Sequence, residues 1–168
     1  MRRLATRASL LILFGLASGG TVLGLAAPAS AQTEQMEDLA AFPHGTLRIA
    51  SGRKVHHFDI WIADTPARQE QGLMFVRDLA EGQGMIFPET PARVMNMWMK
   101  NTYIELDMVF IGPDGRILKV LEHARPLSLT TLSSDRAVSA VLEIKGSEAG
   151  KLGLKVGDRV TWKADAPS

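Results

Sequence analysis

Three methionines alternate along the segment VMNMWMKNT, residues 94–102. Alternation on a β-strand would place Met95, Met97 and Met99 on one face of that strand. Thioether sulfur is a soft ligand that suits Cu(I), and methionine is also an adaptable filler of apolar cores. Because the next segment offers ordinary core residues, we predict that the three side chains pack in the interior. A copper site, which needs the sulfurs to converge on one ion, is the alternative.

Polar side chains stand at both ends of these apolar stretches. Cationic groups beside amide and hydroxyl donors could hold a carboxylate or a sugar. Alternatively, Arg–Asp pairs and an Asn/Thr turn satisfy buried backbone groups at a corner of the sheet. The candidate ligand-binding residues are Arg68, Arg77, Lys100, Asn101, Thr102 and Asp107.

Catalytic signatures are weak. Glu105 and Asp107 would share a strand face about 7 Å apart, a separation found in inverting glycosidases, so an envelope-glycan hydrolase is an alternative function. A solvent-exposed polar face explains the same pattern. None of the four histidines has metal-ligand spacing, and no serine lies in a nucleophile motif. We predict no catalytic residue, no metal site, no cofactor, and a binding module rather than an enzyme.

The elements that must position these residues are mostly short strands. Alternating or apolar runs predict strands over 46–49, 55–62, 85–88, 93–99, 103–111, 116–124 and 137–144, with a last strand through Val160 and Trp162. One helix begins after Thr65, whose hydroxyl can cap it, with proline at its first position. We expect one helical turn near the C-terminus, capped by Ser147 and ended by Gly153. Residues 124–136 are expected to form a loop.

Short connections between successive strands favour antiparallel pairing. The predicted fold is therefore mainly β: a compact antiparallel β-barrel or a strongly curved sheet, with one short helix and one helical turn. There are too few helices for a doubly wound α/β fold, which needs crossover helices between parallel strands.

The first 31 residues have the pattern of a secretory signal peptide. Three arginines precede a long apolar run, and the small residues of Ala29-Ser30-Ala31 predict cleavage after Ala31. A retained membrane anchor is the alternative. We predict a flexible lead-in over 32–44, a single domain over 45–168, and a periplasmic or secreted location. The chain has no cysteine, which excludes disulfides, a thiol nucleophile and cysteine-based metal sites.

Charge gives no reason to expect nucleic acid as a partner. Without the three arginines of its first 31 residues, the chain has 16 Lys and Arg of the original 19 against 18 Asp and Glu, a net charge of −2. Such a balance provides no basic excess for phosphate backbones or anionic membranes. We expect a monomer that does not insert stably into the membrane after cleavage and binds a small polar ligand or an envelope protein.

Three blocks of sequence are similar to one known family. The blocks are RQEQGLMFVRDLAEGQGMIF at 68–87, MWMKNTYIELDMVFIGPDGRI at 97–117 and VLEIKGSEAGKLGLKVGDRV at 141–160. Together they resemble the domain of unknown function family 192 over roughly residues 45–163. The resemblance implies a small, often secreted, β-rich domain without an established activity. Its polar pattern falls on the six candidate residues, and Glu105 stands where the family usually has proline.

Overall fold

The computed structural model describes residues 36–166. Within them, seven strands form one sheet and two short helices, α1 and α2, lie between strands. The strands are β1 His44–Ser51, β2 Lys54–Ile62, β3 Gln83–Met97, β4 Leu106–Ile111, β5 Ile117–Ala124, β6 Leu132–Lys145 and β7 Arg159–Ala164, with α1 Pro66–Gln71 and α2 Glu148–Leu152.

The strand order across the sheet is β5-β4-β6-β3-β2-β1-β7. Every strand pair is antiparallel except β2 with β3, which run parallel. The prediction of antiparallel pairing is wrong for that pair, because α1 and the loop after it carry the chain back to start β3 beside β2 in the same direction. The mainly β prediction is confirmed.

The two edges of the sheet meet at a single bridge between Arg116 and Arg159. Two backbone bonds support it: Ile117 N–H donates to the Asp158 carbonyl at 2.9 Å, and Val160 N–H donates to the Gly115 carbonyl at 2.8 Å. Gly157 N–H also donates to the Ile117 carbonyl at 2.9 Å, but the bridge stays isolated and no ladder forms there among residues 36–166. The sheet is therefore open, and the predicted barrel is not confirmed.

The core has two apolar clusters that lie on opposite faces of the sheet. Alternation along β6 separates them: Leu142 and Ile144 belong to the first cluster, and Val141 to the second. The first cluster takes residues from all seven strands and α2. The second includes Leu73, just after α1, and Phe42 of the lead-in, each only 2% exposed.

Several predicted boundaries need correction. The segments expected as separate strands at 85–88 and 93–99 form one 15-residue strand, β3, with register shifts between Pro88 and Arg93. Strand β4 begins at Leu106 rather than 103, and β6 begins at Leu132, inside the expected loop. The predicted cap on α2 is wrong, because Ser147 adopts a left-handed conformation and its side chain makes no capping bond. Gly153 ends α2 as expected.

The predicted signal peptide, its cleavage site and the first part of the lead-in lie outside the described residues. Among residues 36–166, no helix has the length and apolar character needed to cross a membrane.

Candidate ligand-binding site

Helix α1 forms one wall of the site. The Thr65 hydroxyl accepts the Arg68 N–H at 3.2 Å and Pro66 occupies the first position, so the predicted helix start is confirmed. The helix ends at Gly72, which has a φ of 49°. A Cβ at Gly72 would lie 3.3 Å from the Phe87 ring, so the missing side chain lets α1 approach β3 closely. This approach holds Gln69 against the sheet, where its amide donates to the Pro88 carbonyl at 2.8 Å.

The turn Lys100–Thr102 forms a second wall. Asn101 has a φ of 56°, a left-handed conformation that asparagine tolerates well. Its carbonyl accepts the Phe75 N–H at 2.8 Å, and the Thr102 carbonyl accepts the Leu127 N–H at 3.0 Å. These bonds fix the turn between two loops. Lys100 is thereby held with its ammonium nitrogen 5.2 Å from the centre of the Trp98 ring, within cation–π range.

Glu143 is the buried acid of the site. It lies on β6 with Met85 and Met108 as its neighbours on β3 and β4, on the face of the second core cluster. The residue is only 4% exposed. Burial raises the pKa of Glu143 to about 8. It is the one cause of the shift within the described part of the chain. At neutral pH the carboxyl group is therefore protonated and can donate a hydrogen bond.

Helix α1, the turn Lys100–Thr102 and Glu143 line a cavity of about 60 Å³, which we call the inner cavity. Roughly 10–15 Å³ of such cavity volume admits one water molecule, so the inner cavity has room for a small polar group. Polar side chains that line it include Gln69, Glu70, Asn96, Lys100, Thr102 and Glu143.

Two of the six predicted residues, Lys100 and Thr102, line the inner cavity. Thr102 is 5% exposed, and its hydroxyl donates to the Lys100 carbonyl at 3.3 Å. Asn101 shapes the turn with its backbone, and its side-chain amide lies 3.8 Å from the Met74 sulfur.

The two predicted arginines are engaged elsewhere. Arg68 bonds to Glu37 at 2.7 Å and to Asp64 at 2.8 Å, and these carboxylates raise the pKa of its guanidinium. Arg77 lies 5.0 Å from the centre of the Tyr103 ring. Arg68 therefore ties α1 to the lead-in rather than facing the inner cavity.

Asp107 is fully buried and holds two pieces of backbone together. One carboxylate oxygen accepts the His123 N–H and the other accepts the Ala149 N–H, each at 2.9 Å. Glu105 is exposed and lies just before β4, with its carboxylate 2.8 Å from His123 Nδ1. This contact raises the pKa of His123. The two acids thus make different contacts and do not face one cleft.

The alternating methionines contribute to the second core cluster. Met95 and Met99 are 5% and 0% exposed, and Met97 packs partly buried against the same cluster. Trp98, between them, is 45% exposed. The strand ends at Met97, so the predicted alternation continues only that far.

Sequence reasoning missed Glu143 and Gln69. Glu143 lies in the run AVLEI, and this run predicts an ordinary core strand. The available signal was its position: period two puts Glu143 on the same face as Val141, so one face of the strand carries a lone acid among apolar residues. Gln69 had no distinguishing signal within α1.

The family model of DUF192, the domain of unknown function family 192, matches residues 47–162 and is described as an uncharacterized ACR family. The chain belongs to the DUF192 family. The resemblance of the three sequence blocks is thereby confirmed. A search of curated proteins finds no match.

Two solved structures resemble this DUF192 protein closely. A protein of unknown function from Novosphingobium aromaticivorans is 34% identical, with a TM-score of 0.72, and the match covers 87% of this chain and 100% of that one. A proposed transcription regulator from Sinorhizobium meliloti is 36% identical, with a TM-score of 0.70, covering 72% of this chain and 95% of that one.

Proposed function

We propose that this DUF192 protein binds a small ligand through an acceptor oxygen, in the simplest case a carboxylate, placed in the inner cavity. The observation that carries the proposal is Glu143: a 4% exposed carboxyl group whose pKa is raised by burial alone and which lines a cavity together with Lys100. Buried polar groups are normally hydrogen-bonded. A protonated acid that faces a cavity can find its partner in a ligand.

The two groups offer complementary interactions. The Lys100 ammonium attracts an anion, and the neutral Glu143 carboxyl donates a hydrogen bond to it. Ionised Glu143 would instead repel a carboxylate. Binding should therefore be coupled to protonation and should weaken as the pH rises through about 8, the pKa of Glu143.

The test is an NMR titration with N-acetylglycine and with its uncharged methyl ester. We expect the acid to shift resonances at Lys100 and Glu143 and the ester to bind at least tenfold more weakly. Lys100→Ala should abolish binding, while Lys145→Ala, a lysine away from the inner cavity, should not. Equal binding of acid and ester, or unchanged binding by Lys100→Ala, would contradict the proposal.

A second variant tests the protonation step. Glu143→Gln keeps a donor of the same shape without an ionisable group. Its affinity for N-acetylglycine should stay constant between pH 7 and 9, whereas that of the unsubstituted protein falls.

No specific observation in the described structure favours either alternative function. A hydrolase that used Asp107 would need a carboxylate free of backbone partners, and both oxygens of Asp107 accept N–H groups. Copper binding would need the sulfurs of Met95 and Met99 to leave an apolar core cluster.

We also propose export, with removal of residues 1–31, and a monomeric state in the periplasm or outside the cell. The support for export is the charge and small-residue pattern of the leader. Mass spectrometry of the protein from its native host should find Gln32 as the first residue. An intact Met1 in the exported fraction would indicate a retained anchor.

A further inference from the structure

Two larger cavities adjoin the inner one, and residues of α1 and β3 line all three. A middle cavity of about 280 Å³ shares Gln69 and Trp98 with the inner cavity. An outer cavity of about 530 Å³ shares Gln69 and Arg93 with the middle one. Because each space shares lining residues with the next, the three lie side by side along α1 and β3, with volumes that increase away from Glu143. We call this row of cavities the groove.

The second half of β3 forms the sheet-side wall of this groove, and its backbone is open there. Pairing of β3 with β2 ends at Ile86. From Phe87 onward β3 pairs with β6 on its other edge only, among the described residues. The Ile86 carbonyl accepts the Ala63 N–H at 2.9 Å, and the Pro88 carbonyl, next on the same edge, accepts the Gln69 amide. The open edge therefore continues beside α1.

Such an edge can accept an additional strand. Pro88 and Pro91 have no N–H, and the Pro88 carbonyl is bonded to Gln69, so the part of the edge suited to a new strand is Arg93–Met97. Edge N–H and C=O groups can bind the backbone of an extended peptide, and adjacent pockets take alternate side chains. The strand from Arg93 to Met97 has four residue steps, roughly 13 Å, which matches about five peptide residues.

The polar groups at the inner end of the groove suit the terminus of a peptide. Its inner end holds Lys100 and the protonated Glu143, which suit a carboxylate. Trp98, 45% exposed, gives the middle cavity an apolar surface for a side chain. Arg93 and Glu89 pair at 2.6 Å on the outer part, so that region has both charges and sets no single charge preference.

We propose that the ligand is the free carboxyl terminus of an extended peptide or protein tail, added as a strand along β3 with its carboxylate in the inner cavity. The inference rests on the proposed function, because the same Lys100 and Glu143 hold the carboxylate. It adds the ligand class and the direction in which the chain runs, from the outer cavity to the inner one.

The experiment compares ligands of different length on the full protein. The probes are N-acetylglycine and an acetylated five-residue peptide of alternating alanine and threonine ending in glycine, with free, amidated and backbone N-methylated forms of the peptide. We expect the free peptide to bind at least tenfold more tightly than N-acetylglycine. Amidation and N-methylation should each remove that gain.

Variants separate the two proposals. Arg93→Ala, which alters the middle and outer cavities only, should reduce the gain from peptide length and leave N-acetylglycine binding unchanged. Arg136→Ala, an exposed arginine elsewhere, should change neither. If N-acetylglycine binds but length adds nothing, the peptide inference is overturned and the carboxylate site stands. If no probe binds, both fail. If a chitin oligosaccharide displaces N-acetylglycine and no peptide binds, the groove is assigned to glycans and the inference is overturned.

Discussion

Replacing Glu143 with glutamine should stabilise the protein, and increasingly so as the pH rises. In the unfolded chain the carboxyl has its ordinary pKa of 4.5, whereas burial raises the pKa to about 8 in the fold. Between these values folding must keep a proton on Glu143 that the unfolded chain has released. The contribution of Glu143 to stability is therefore highest below pH 4.5, falls as the pH rises toward 8, and is constant above it.

The size of the effect follows from the pKa difference. One pKa unit corresponds to about 1.4 kcal/mol, so the protein should lose roughly 3 kcal/mol by pH 7 and roughly 5 kcal/mol by pH 9 through this group. Glu143→Gln removes this pH-dependent loss. The variant's unfolding free energy should exceed that of the unsubstituted protein by an amount that grows by roughly 4 kcal/mol between pH 5 and pH 9.

Urea denaturation followed by tryptophan fluorescence gives the required free energies at each pH. The informative quantity is the slope of the difference with pH, because any fixed cost of burying the amide cancels from it. Glu70→Gln, at an exposed glutamate on the same cavity, controls for the loss of one negative charge. A difference that is the same at pH 5 and pH 9 would refute the reasoning, since it would mean that Glu143 ionises alike in the folded and unfolded chain.

Three further substitutions test other parts of the structure. Asp107→Ala should destabilise the protein by roughly 3 kcal/mol or more, because two backbone N–H groups lose their acceptor; a loss below about 1 kcal/mol in urea denaturation would contradict this role. Gly84→Ala should cost roughly 1–3 kcal/mol, because its Cβ would lie 2.6 Å from the Glu143 carbonyl oxygen; an unchanged melting temperature would show that the strands separate easily. Glu105→Gln should lower the pKa of His123, measured by NMR, since the carboxylate contact raises it; an unchanged histidine titration would exclude that contact in solution.

How far the sequence could predict the site depends on where each residue lies. The turn at Lys100–Thr102 was predictable because polar residues interrupt an apolar alternation, and two of its residues line the cavity. For Glu143 the sequence shows only a lone acid on an apolar strand face, and it does not show whether that acid is paired or faces a cavity. Only the arrangement of β3, β4 and α1 around it decides that.

The extent of β3 was also not predictable from the local sequence. Pro88 and Pro91 favoured a loop, since proline removes a donor from a sheet. In the structure β3 has no partner strand on its α1 side at Pro88, so the missing N–H leaves no gap in the ladder there. Edge position depends on contacts with residues distant in sequence, and local patterns do not contain that information. The parallel pairing of β2 with β3 escaped prediction for the same reason.

The place of β7 in the sheet has a consequence for biosynthesis. Apart from the single bridge to Arg116, β7 pairs only with β1 among residues 36–166. Gly45 lies opposite Ala164, so the sheet joins residues near the two ends of the domain. Contacts this distant in sequence form late and slow the folding of a chain. A ribosome must release almost the whole domain before β1 can find β7. The delay lengthens the time for which the emerging chain stays unfolded. Under the export proposed above, that is the state in which a polypeptide can be threaded through a narrow secretion pore.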